Sequence, residues 1–231
     1  MTLKDELKAY TKKTHDDRWT RRQGQKVPGA DDVALGTDAV TFDGTVLYAD
    51  LTDSTALVKG WKDWFAAEVY KNYLYCAARI IRAEGGDITA YDGDRIMAVY
   101  LGGRRNTSAV RTALKINWTI SSILQPALVA KYPDTKFRYN QKVGIDTSPL
   151  FVAKTGIRGS NDLVWVGNAA NNAAKMAALD KGYASYITGS VHNVMLDEAK
   201  YGGDPKKAMW TDLGSVDLGY QLYGSSWQWG L

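Results

Sequence analysis

A regular pattern of apolar and polar positions begins near Thr45. Residues 45–50 form an apolar run that is typical of a buried strand. Residues 56–84 then predict a long helix, because their large apolar side chains recur on one face. These side chains are Trp61, Phe65, Val69, Cys76 and Ile80. Gly85-Gly86 ends the helix.

Strands and helices alternate through the rest of the chain. Residues 87–91 and 95–101 predict a hairpin whose turn carries Asp92, Gly93 and Asp94. The other expected helices are 107–131 and 168–179, and the other expected strands are 137–146, 150–154 as its partner, 185–188, 209–213 and 220–223. This order predicts an α+β domain with one antiparallel-rich sheet and helices on one face.

The first 40 residues differ from this pattern. Residues 3–22 are dense in charge, with Leu3, Leu7 and Tyr10 at helical spacing, and residues 23–43 contain few large apolar side chains. We expect a helical arm and connector at 1–40, followed by one catalytic domain at 41–231. The arm either packs on its own domain or a dimer mate, or contacts another partner.

Composition excludes several classes. The chain has 231 residues, 45% hydrophobic and 23% charged, with a net charge of +4 and one cysteine. This charge suits an anionic small molecule and is too weak to indicate nucleic acid. The charged first residues do not resemble a signal peptide, and no apolar run reaches the roughly 18 residues that a membrane helix needs. We therefore expect a cytoplasmic protein without a membrane or nucleic-acid partner.

Two carboxylates are the main candidates for chemistry. Asp50 ends the first strand, and Asp94 lies in the hairpin turn. Neighbouring strands lie about 4.8 Å apart, so these side chains can share divalent cations if the strand pairs with the hairpin. Oxygen ligands and phosphates suit Mg²⁺ or Mn²⁺. The alternative is that each aspartate merely caps a turn.

The polar turn after Asp50 favours the metal interpretation. It comprises Leu51, Thr52, Asp53, Ser54 and Thr55 and leads directly into a predicted helix. Free backbone N–H groups at a helix start attract phosphate. The metal candidate and a phosphate site would therefore adjoin.

Asn171 and Lys175 form the third candidate element. They are four residues apart in a predicted helix and share one face. An amide and a cation on one face can contact a ribose and a phosphate together. The alternative, a small-residue helix packed closely on a sheet, explains the neighbouring alanines but not these two side chains.

Three blocks together resemble the class III nucleotidyl cyclase catalytic domain, which has a ferredoxin-like fold. They are Leu47-Tyr-Ala-Asp50-Leu-Thr-Asp-Ser-Thr55, Gly85-Gly-Asp-Ile-Thr-Ala-Tyr-Asp-Gly93-Asp94, and Val143-Gly-Ile-Asp-Thr followed by Val166-Gly-Asn-Ala-Ala-Asn171-Asn-Ala-Ala-Lys175. The match extends from residue 43 to about 190. A tail with Leu213-Gly214 and Leu218-Gly-Tyr-Gln-Leu-Tyr223 also fits.

The resemblance implies a role for each candidate. Asp50 and Asp94 would bind two Mn²⁺ or Mg²⁺ ions, with the Leu51 carbonyl as an extra ligand. Asn171 would orient the ribose, and Lys175, where the family usually has arginine, would neutralise charge on the α-phosphate. The family works as a head-to-tail dimer whose aspartates and Asn/Lys helix face one another, which implies a homodimer with two shared sites.

The base pocket departs from the purine cyclases. Ala90 and Val164 occupy the positions that read a purine edge, and neither can do so by hydrogen bonds. Tyr48 is expected to line the pocket, with Tyr91 and Arg95 as further candidates. A pocket of this kind suits a pyrimidine. The chain therefore resembles the cyclases of the bacterial Pycsar anti-phage system, which make cyclic UMP or cyclic CMP for a separate effector.

Three questions stay open at this point. Pro149 stands where the family often has a triphosphate-binding arginine, and either Lys154 or Arg158 is a candidate replacement. The sequence does not choose between UTP and CTP. An adenylate or guanylate cyclase, or an inactive nucleotide-binding scaffold, are the alternative functions.

Overall fold

The computed structural model describes residues 1–215 and 219–231. Its helices are α1 Leu3–Asp16, α2 Ser54–Gly60, α3 Asp63–Ala83, α4 Arg105–Thr119, α5 Gln125–Lys131, α6 Asn168–Ala177, α7 Gly189–Val194 and α8 Asp197–Lys200. Its strands are β1 Thr20–Gln23, β2 Asp38–Leu51, β3 Asp87–Asp92, β4 Arg95–Tyr100, β5 Gln141–Ile157, β6 Ser160–Val166, β7 Ser185–Thr188, β8 Tyr201–Gly202, β9 Lys207–Ala208, β10 Thr211–Ser215 and β11 Gln221–Ser225.

The chain divides into two compact units. The smaller unit contains residues 1–43 and 149–167, and the larger unit contains residues 44–148 and 168–231. In the smaller unit, β1 pairs in parallel with the start of β2, and β6 pairs antiparallel with the end of β5. The expected arm is therefore helix α1 followed by a strand, and the domain boundary after residue 40 stays a prediction.

The larger unit is built on a mixed sheet. Its strand order is β10-β11-β7-β5-β2-β4-β3. The β5–β7 pair is parallel, whereas the β2–β4, β3–β4, β7–β11 and β10–β11 pairs are antiparallel. The α+β class and the antiparallel-rich sheet are thus confirmed.

One face of this sheet carries the main core. Inward side chains of β2 and β4 pack against α3 and α4 because alternate strand residues point to the same face. The buried set includes Leu47, Ala49, Ile96, Ala98, Tyr73, Ile81, Val110 and Leu114. The opposite face of β2 and β4 therefore carries the alternate residues, including Asp50.

Helix α6 is the exception to the single helical face that the sequence predicts. Gly144 lies between Val143 and Ile145, which face the main core, so it points to the other side. A Cβ on Gly144 would lie 2.1 Å from the carbonyl oxygen of Ala173. Glycine at this position lets α6 pack directly on the backbone of β5.

The predicted long helix at 56–84 is wrong in one respect, because it is two helices. Helix α2 ends at Gly60, and Trp61 adopts an extended conformation with φ −129° and ψ 168°. The Trp61 ring packs against Phe65 and Phe137, with ring centroids 6.2 and 5.7 Å away. Aromatic packing and a helix-breaking glycine override the helical periodicity.

The predicted pairing of residues 150–154 with 137–146 is also wrong. Both segments contribute to β5, which runs without interruption from Gln141 to Ile157. Ser148-Pro149 lies within this strand, because proline and the residue before it both tolerate an extended backbone. The partner of the second half of β5 is β6.

Other predicted elements occur close to their expected positions. The hairpin of β3 and β4 is present, with a bulge between Ile88 and Ala90. The helical segment from Arg105 to Lys131 includes a π-helical turn at Ile120–Leu124, just before Pro126. Helices α7 and α8 were not predicted. Leu218, part of the expected tail motif, lies outside the described residues.

Candidate active site

Asp50 and Asp94 lie side by side because β2 and β4 are neighbours. The antiparallel register places Asp50 opposite Arg95. The backbone N–H of Leu51 donates to the carbonyl oxygen of Asp94, with 3.4 Å between nitrogen and oxygen. Gly93 has φ +62°, which lets the chain reverse between Asp92 and Arg95. One carboxylate thus ends a strand and the other occupies the adjoining turn.

The carboxylate pair carries uncompensated negative charge. Burial, followed by the charge of Asp94, raises the pKa of Asp50 from 3.8 to about 6, and Arg95 opposes the shift. The pKa of the buried Tyr73 hydroxyl is raised by burial first and then by Asp50 and Asp94. Within the described part of the chain this hydroxyl has no hydrogen-bond partner. A cation between the carboxylates would relieve this repulsion.

The donor set fits Mg²⁺ or Mn²⁺. Carboxylate and carbonyl oxygens are hard ligands, and Asp50, Leu51 and Asp94 supply both kinds. The described residues contain no cluster of three or more His, Cys, Asp or Glu side chains able to hold a metal. A cation here would take its other ligands from water and from a substrate phosphate, as Mg²⁺ usually does.

A cleft of about 740 Å³ opens above the pair. Its walls come from the turn after β2, the hairpin turn, β5 and the end of α6. The lining residues are Asp50, Leu51, Thr52, Asp53, Ser54, Thr55, Ala56, Lys59, Asp94, Arg95, Asn140, Lys142, Ala177, Ala178, Leu179 and Asp180. The structure therefore brings the expected metal residues and the expected phosphate turn into one cleft.

The turn is held by backbone bonds on both sides. The N–H of Thr52 donates to the carbonyl of Asn140 at 3.0 Å, and Asp53 adopts a left-handed conformation with φ 63°. Tyr70 of α3 donates from its hydroxyl to the Ser54 carbonyl at 3.5 Å. Helix α2 has seven residues, so its dipole contributes less than the sequence suggested. Phosphate binding by this turn stays a prediction, and it would rest mainly on the local N–H groups.

Lys142 is a site residue that sequence reasoning missed. It lies on β5, is 6% exposed and lines the cleft. Its Nζ donates to Asp180 at 3.2 Å and to the Tyr183 carbonyl at 3.0 Å. The Asp180 side chain is 89% exposed, so the buried ammonium has a solvent-facing counter-ion. The sequence did contain a signal, because this lysine precedes the apolar Val-Gly-Ile run. A buried strand rarely carries a charged side chain, so such a lysine is a candidate for function.

Tyr48 and Ala90 belong to one row across three strands. Both are paired with Met97 of β4, Tyr48 from β2 and Ala90 from β3. Directly paired residues share a sheet face, and Asp50 is two residues from Tyr48 on the same strand. Tyr48 is half-buried, and burial raises its pKa. Tyr48 and Ala90 therefore share the sheet face that carries Asp50.

Asn171 and Lys175 are exposed on α6 and do not line the cleft that holds Asp50 and Asp94. The helix instead turns Ala173, Met176 and Ala177 inward. The part of the chain that the structure describes thus keeps the two sets of candidates apart. This separation is what two sites shared across a dimer would require.

Three of the remaining candidates belong to the smaller unit, and Tyr91 belongs to the larger one. Val164 of β6 is 40% exposed, Lys154 is half-buried on β5, and Arg158 is exposed after β5. In the larger unit, Lys142 and Lys59 are the lysines that line the cleft. Tyr91 is exposed on the face opposite Ala90, because it pairs with the core residue Ile96.

Two curated relatives are similar in sequence to almost the whole chain. It is 51% identical to a uridylate cyclase from Xanthomonas perforans over 231 residues, covering 99% of both chains. It is 46% identical to a uridylate cyclase from Burkholderia cepacia, again over 99% of both. No protein-family model matches the chain.

Solved structures show the same fold at lower identity. The adenylyl cyclase CyaB from P. aeruginosa superimposes with a TM-score of 0.68 at 18% identity, covering 81% of this chain and 95% of that one. A bacterial light-regulated adenylyl cyclase gives a TM-score of 0.68 at 20% identity, and this chain spans 53% of its length. Within residues 1–215 and 219–231, no helix combines the length and apolar character that crossing a membrane requires.

Proposed function

Because this chain belongs to the uridylate cyclase family, with a class III cyclase fold and nucleotidyl cyclase activity, we propose that it converts UTP to 3′,5′-cyclic UMP and diphosphate. The observation that carries the proposal is the adjacency of Asp50 and Asp94 in one cleft with the turn after β2 and Lys142. Such a cleft suits a triphosphate, because it combines sites for cations with a buried positive charge.

The carboxylates, the turn after β2 and Lys142 each have a role in this reaction. Asp50 and Asp94 hold two divalent cations, with the Leu51 carbonyl as a further ligand. When bound, these cations lower the pKa of the ribose 3′-hydroxyl and neutralise the triphosphate. The turn after β2 donates its N–H groups to phosphate oxygens, and Lys142 supplies the cation that the position of Pro149 lacks.

The chemistry is an in-line displacement at the α-phosphorus. The 3′-hydroxyl releases its proton to solvent and its oxygen bonds to the α-phosphorus, while the bond from that phosphorus to the bridging oxygen breaks and diphosphate leaves with that oxygen. Asn171 orients the ribose so that this oxygen faces the phosphorus. Lys175 neutralises the charge that grows on the α-phosphate in the transition state.

The face that carries Tyr48 and Ala90 favours a pyrimidine. Ala90 has no polar side-chain atom to read a purine edge, and Val164 has none either. Tyr48 combines a ring for stacking with a hydroxyl for hydrogen bonding, which suits the smaller uracil. UTP is preferred to CTP here because the relatives that cover the whole chain are named uridylate cyclases.

The active unit is a homodimer with two shared sites. Asn171 and Lys175 are exposed and outside the cleft of their own chain, so they are available to a partner. A two-fold axis repeats the arrangement and produces two equivalent sites. Co-expression of an Asp50→Ala chain with an Asn171→Ala chain tests this, since one complete site remains in the mixed dimer.

A panel of nucleotides tests the substrate. The protein is incubated with each of UTP, CTP, ATP and GTP in the presence of Mn²⁺, and cyclic products are identified by mass spectrometry. We expect cyclic UMP from wild type and none from Asp50→Ala or Asp94→Ala. Product from ATP or GTP alone would indicate a purine cyclase, and no product from any nucleotide would favour an inactive scaffold.

The resemblance to the Pycsar cyclases extends the proposal to anti-phage defence. Cyclic UMP made after infection would activate a separate effector protein. The matched test compares cells that express wild type or the Asp94→Ala variant, with cyclic UMP and survival measured after phage infection. Equal survival of both cultures would contradict the defence role.

A further inference from the structure

Asp146 on β5 is a buried carboxylate that is only 4% exposed. Among the described residues, no ion pair compensates it. It accepts a hydrogen bond from Asn172 Nδ2 at 2.8 Å and another from Thr188 Oγ1 at 2.6 Å. Charged side chains are almost never fully buried unless they are paired, so this one calls for a reason.

The bond to Asn172 joins the sheet to α6. Asn172 is half-buried, whereas its neighbour Asn171 and Lys175 are exposed on the same helix. A rotation of α6 about its axis would therefore move the donor away from Asp146 and redirect the exposed pair. The Asp146–Asn172 bond fixes the direction in which the two exposed side chains point.

Apolar packing of Met176 against Tyr186 and Leu222 also holds α6, and the polar contacts add a directional constraint to it. Helix α6 lies on Gly144 through the backbone of Ala173 and Ala177, where small residues do not interdigitate. A second polar tie is found at the start of the helix, where the N–H of Ala169 donates to Ser148 Oγ at 3.0 Å. Both ties come from the same stretch of β5, two residues apart.

Thr147 lies between Asp146 and Ser148, and its side chain points away from α6. Its hydroxyl donates to the Gly44 carbonyl at 3.2 Å, and the Thr45 hydroxyl lies 3.2 Å away. Thr45 and Gly44 belong to the strand that carries Tyr48 and Asp50. Three consecutive polar residues of β5 therefore connect that strand to α6.

We infer that Asp146 is a positioning residue for the reaction: through Asn172 it sets the rotation of α6 and thereby aims Asn171 and Lys175 at the partner chain's nucleotide. The inference rests on the proposed function, in particular on the shared sites. In this role Asp146 acts through Asn172 and not by contact with the substrate. A displacement of about 1 Å at a positioned group can cost up to about 100-fold in rate.

A mixed dimer separates this role from a general role in folding. In a dimer of one Asp50→Ala chain and one Asn171→Ala chain, the working site takes its carboxylates from the second chain. It takes its Asn171 and Lys175 from the first chain. Asp146→Ala is then added to one chain at a time, using two affinity tags to purify the mixed dimers.

We expect the loss to depend on which chain carries the change. Asp146→Ala in the Asp50→Ala chain should lower kcat by about 10-fold or more, because that chain supplies the working α6. The same change in the Asn171→Ala chain should leave kcat within about two-fold, since its α6 serves no working site. Equal losses, no loss, or the opposite asymmetry would overturn the inference.

Two further variants keep the test decisive if Asp146→Ala folds poorly. Asn172→Ala removes the helix side of the same bond and should give the same asymmetry. Asp146→Asn should restore most of the activity, because a rotated amide can accept from Asn172 and donate to the Thr188 hydroxyl. If Asp146→Asn is no more active than Asp146→Ala, the hydrogen-bonding role is contradicted.

A matched control is available in α4. Thr112 is fully buried, and its hydroxyl bonds to Tyr100 at 2.8 Å and to the Ser108 carbonyl at 2.9 Å. Thr112→Val should reduce stability without any dependence on the chain that carries it. If the unmodified mixed dimer is inactive while wild type makes cyclic UMP, the shared-site proposal is wrong and the inference falls with it.

Discussion

The backbone N–H of Leu51 donates a hydrogen bond to the carbonyl oxygen of Asp94 at 3.4 Å. This bond joins the end of β2 to the turn of the neighbouring hairpin. The carboxylates of Asp50 and Asp94 therefore lie close enough to repel each other, and this repulsion is built into the metal-free fold. Four predictions follow from this geometry and its surroundings.

The repulsion predicts a pH-dependent stability. Asp50 has a folded-state pKa of about 6, above its ordinary 3.8, so the folded protein holds this proton more tightly than the unfolded chain does. The metal-free protein should lose stability as pH rises from about 4 through about 6. Asp50→Asn cannot ionise, so it should melt at a higher temperature than wild type well above this window and show no such advantage at the acid end.

Thermal melts with a chelator, followed by circular dichroism across this pH range, provide the measurement. Asp87→Asn is the matched control, because Asp87 is an exposed aspartate at the start of β3. If Asp50→Asn raises the melting temperature by the same amount at both ends of the pH range, the electrostatic explanation is contradicted.

Tyr48 should determine the use of UTP. Tyr48→Ala removes the ring, and base stacking is worth about 1–3 kcal/mol, so kcat/KM for UTP should fall by about 5- to 150-fold. Tyr48→Phe keeps the ring and should lower the preference for UTP over ATP. Tyr91→Phe is the control, since Tyr91 points to the other side of the sheet. If Tyr48→Ala leaves kcat/KM for UTP unchanged, other residues recognise the base.

Lys142 and Asp180 should respond differently to substitution. Lys142→Met removes the buried charge, so KM for UTP and the dissociation constant for Mn²⁺-pyrophosphate should rise by about 10-fold or more. Asp180→Asn removes the competing counter-ion and should weaken neither the binding of UTP nor that of Mn²⁺-pyrophosphate. Calorimetry with pyrophosphate measures binding without turnover. Similar weakening in both variants would mean that Lys142 merely anchors the end of α6.

Gly144→Ala should disrupt α6. The new Cβ would approach the Ala173 carbonyl oxygen to 2.1 Å, so the helix must move away from β5. Overpacking of this kind costs about 1–3 kcal/mol, and the displacement of Asn171 and Lys175 should lower activity as well. Gly103→Ala is the matched control, because no atom lies within 4 Å of its added Cβ. Urea unfolding of both variants measures the difference, and equal stabilities would contradict close packing at Gly144.

Much of the fold was predictable because its signals are local. The apolar run before Asp50, the paired glycines at 85–86 and the hairpin turn each depend on a few consecutive residues. The family was predictable for the same reason, since its motifs are short and occur in a fixed order. Helical periodicity also located α6, the end of α3 and the start of α4 to within a few residues.

The errors arose where distant residues decide the conformation. Trp61 leaves the helix because Phe137, far along the chain, packs against its ring. The continuity of β5 through Ser148-Pro149 depends on strands that pair with it on either side of that dipeptide. Periodicity within one segment contains no information about such partners.

The sequence by itself indicated most of the elements, the family and the two candidate aspartates, because these follow from local pattern and motif. Tertiary structure alone decided which side chains meet. Lys142 reaches Asp180, and Asp146 reaches Asn172, across 38 and 26 positions of sequence. These contacts exist because Gly144 lets α6 lie directly on β5. The burial of Lys142 and Asp146 depends on the packing of these two elements, so the sequence of either element alone does not predict it.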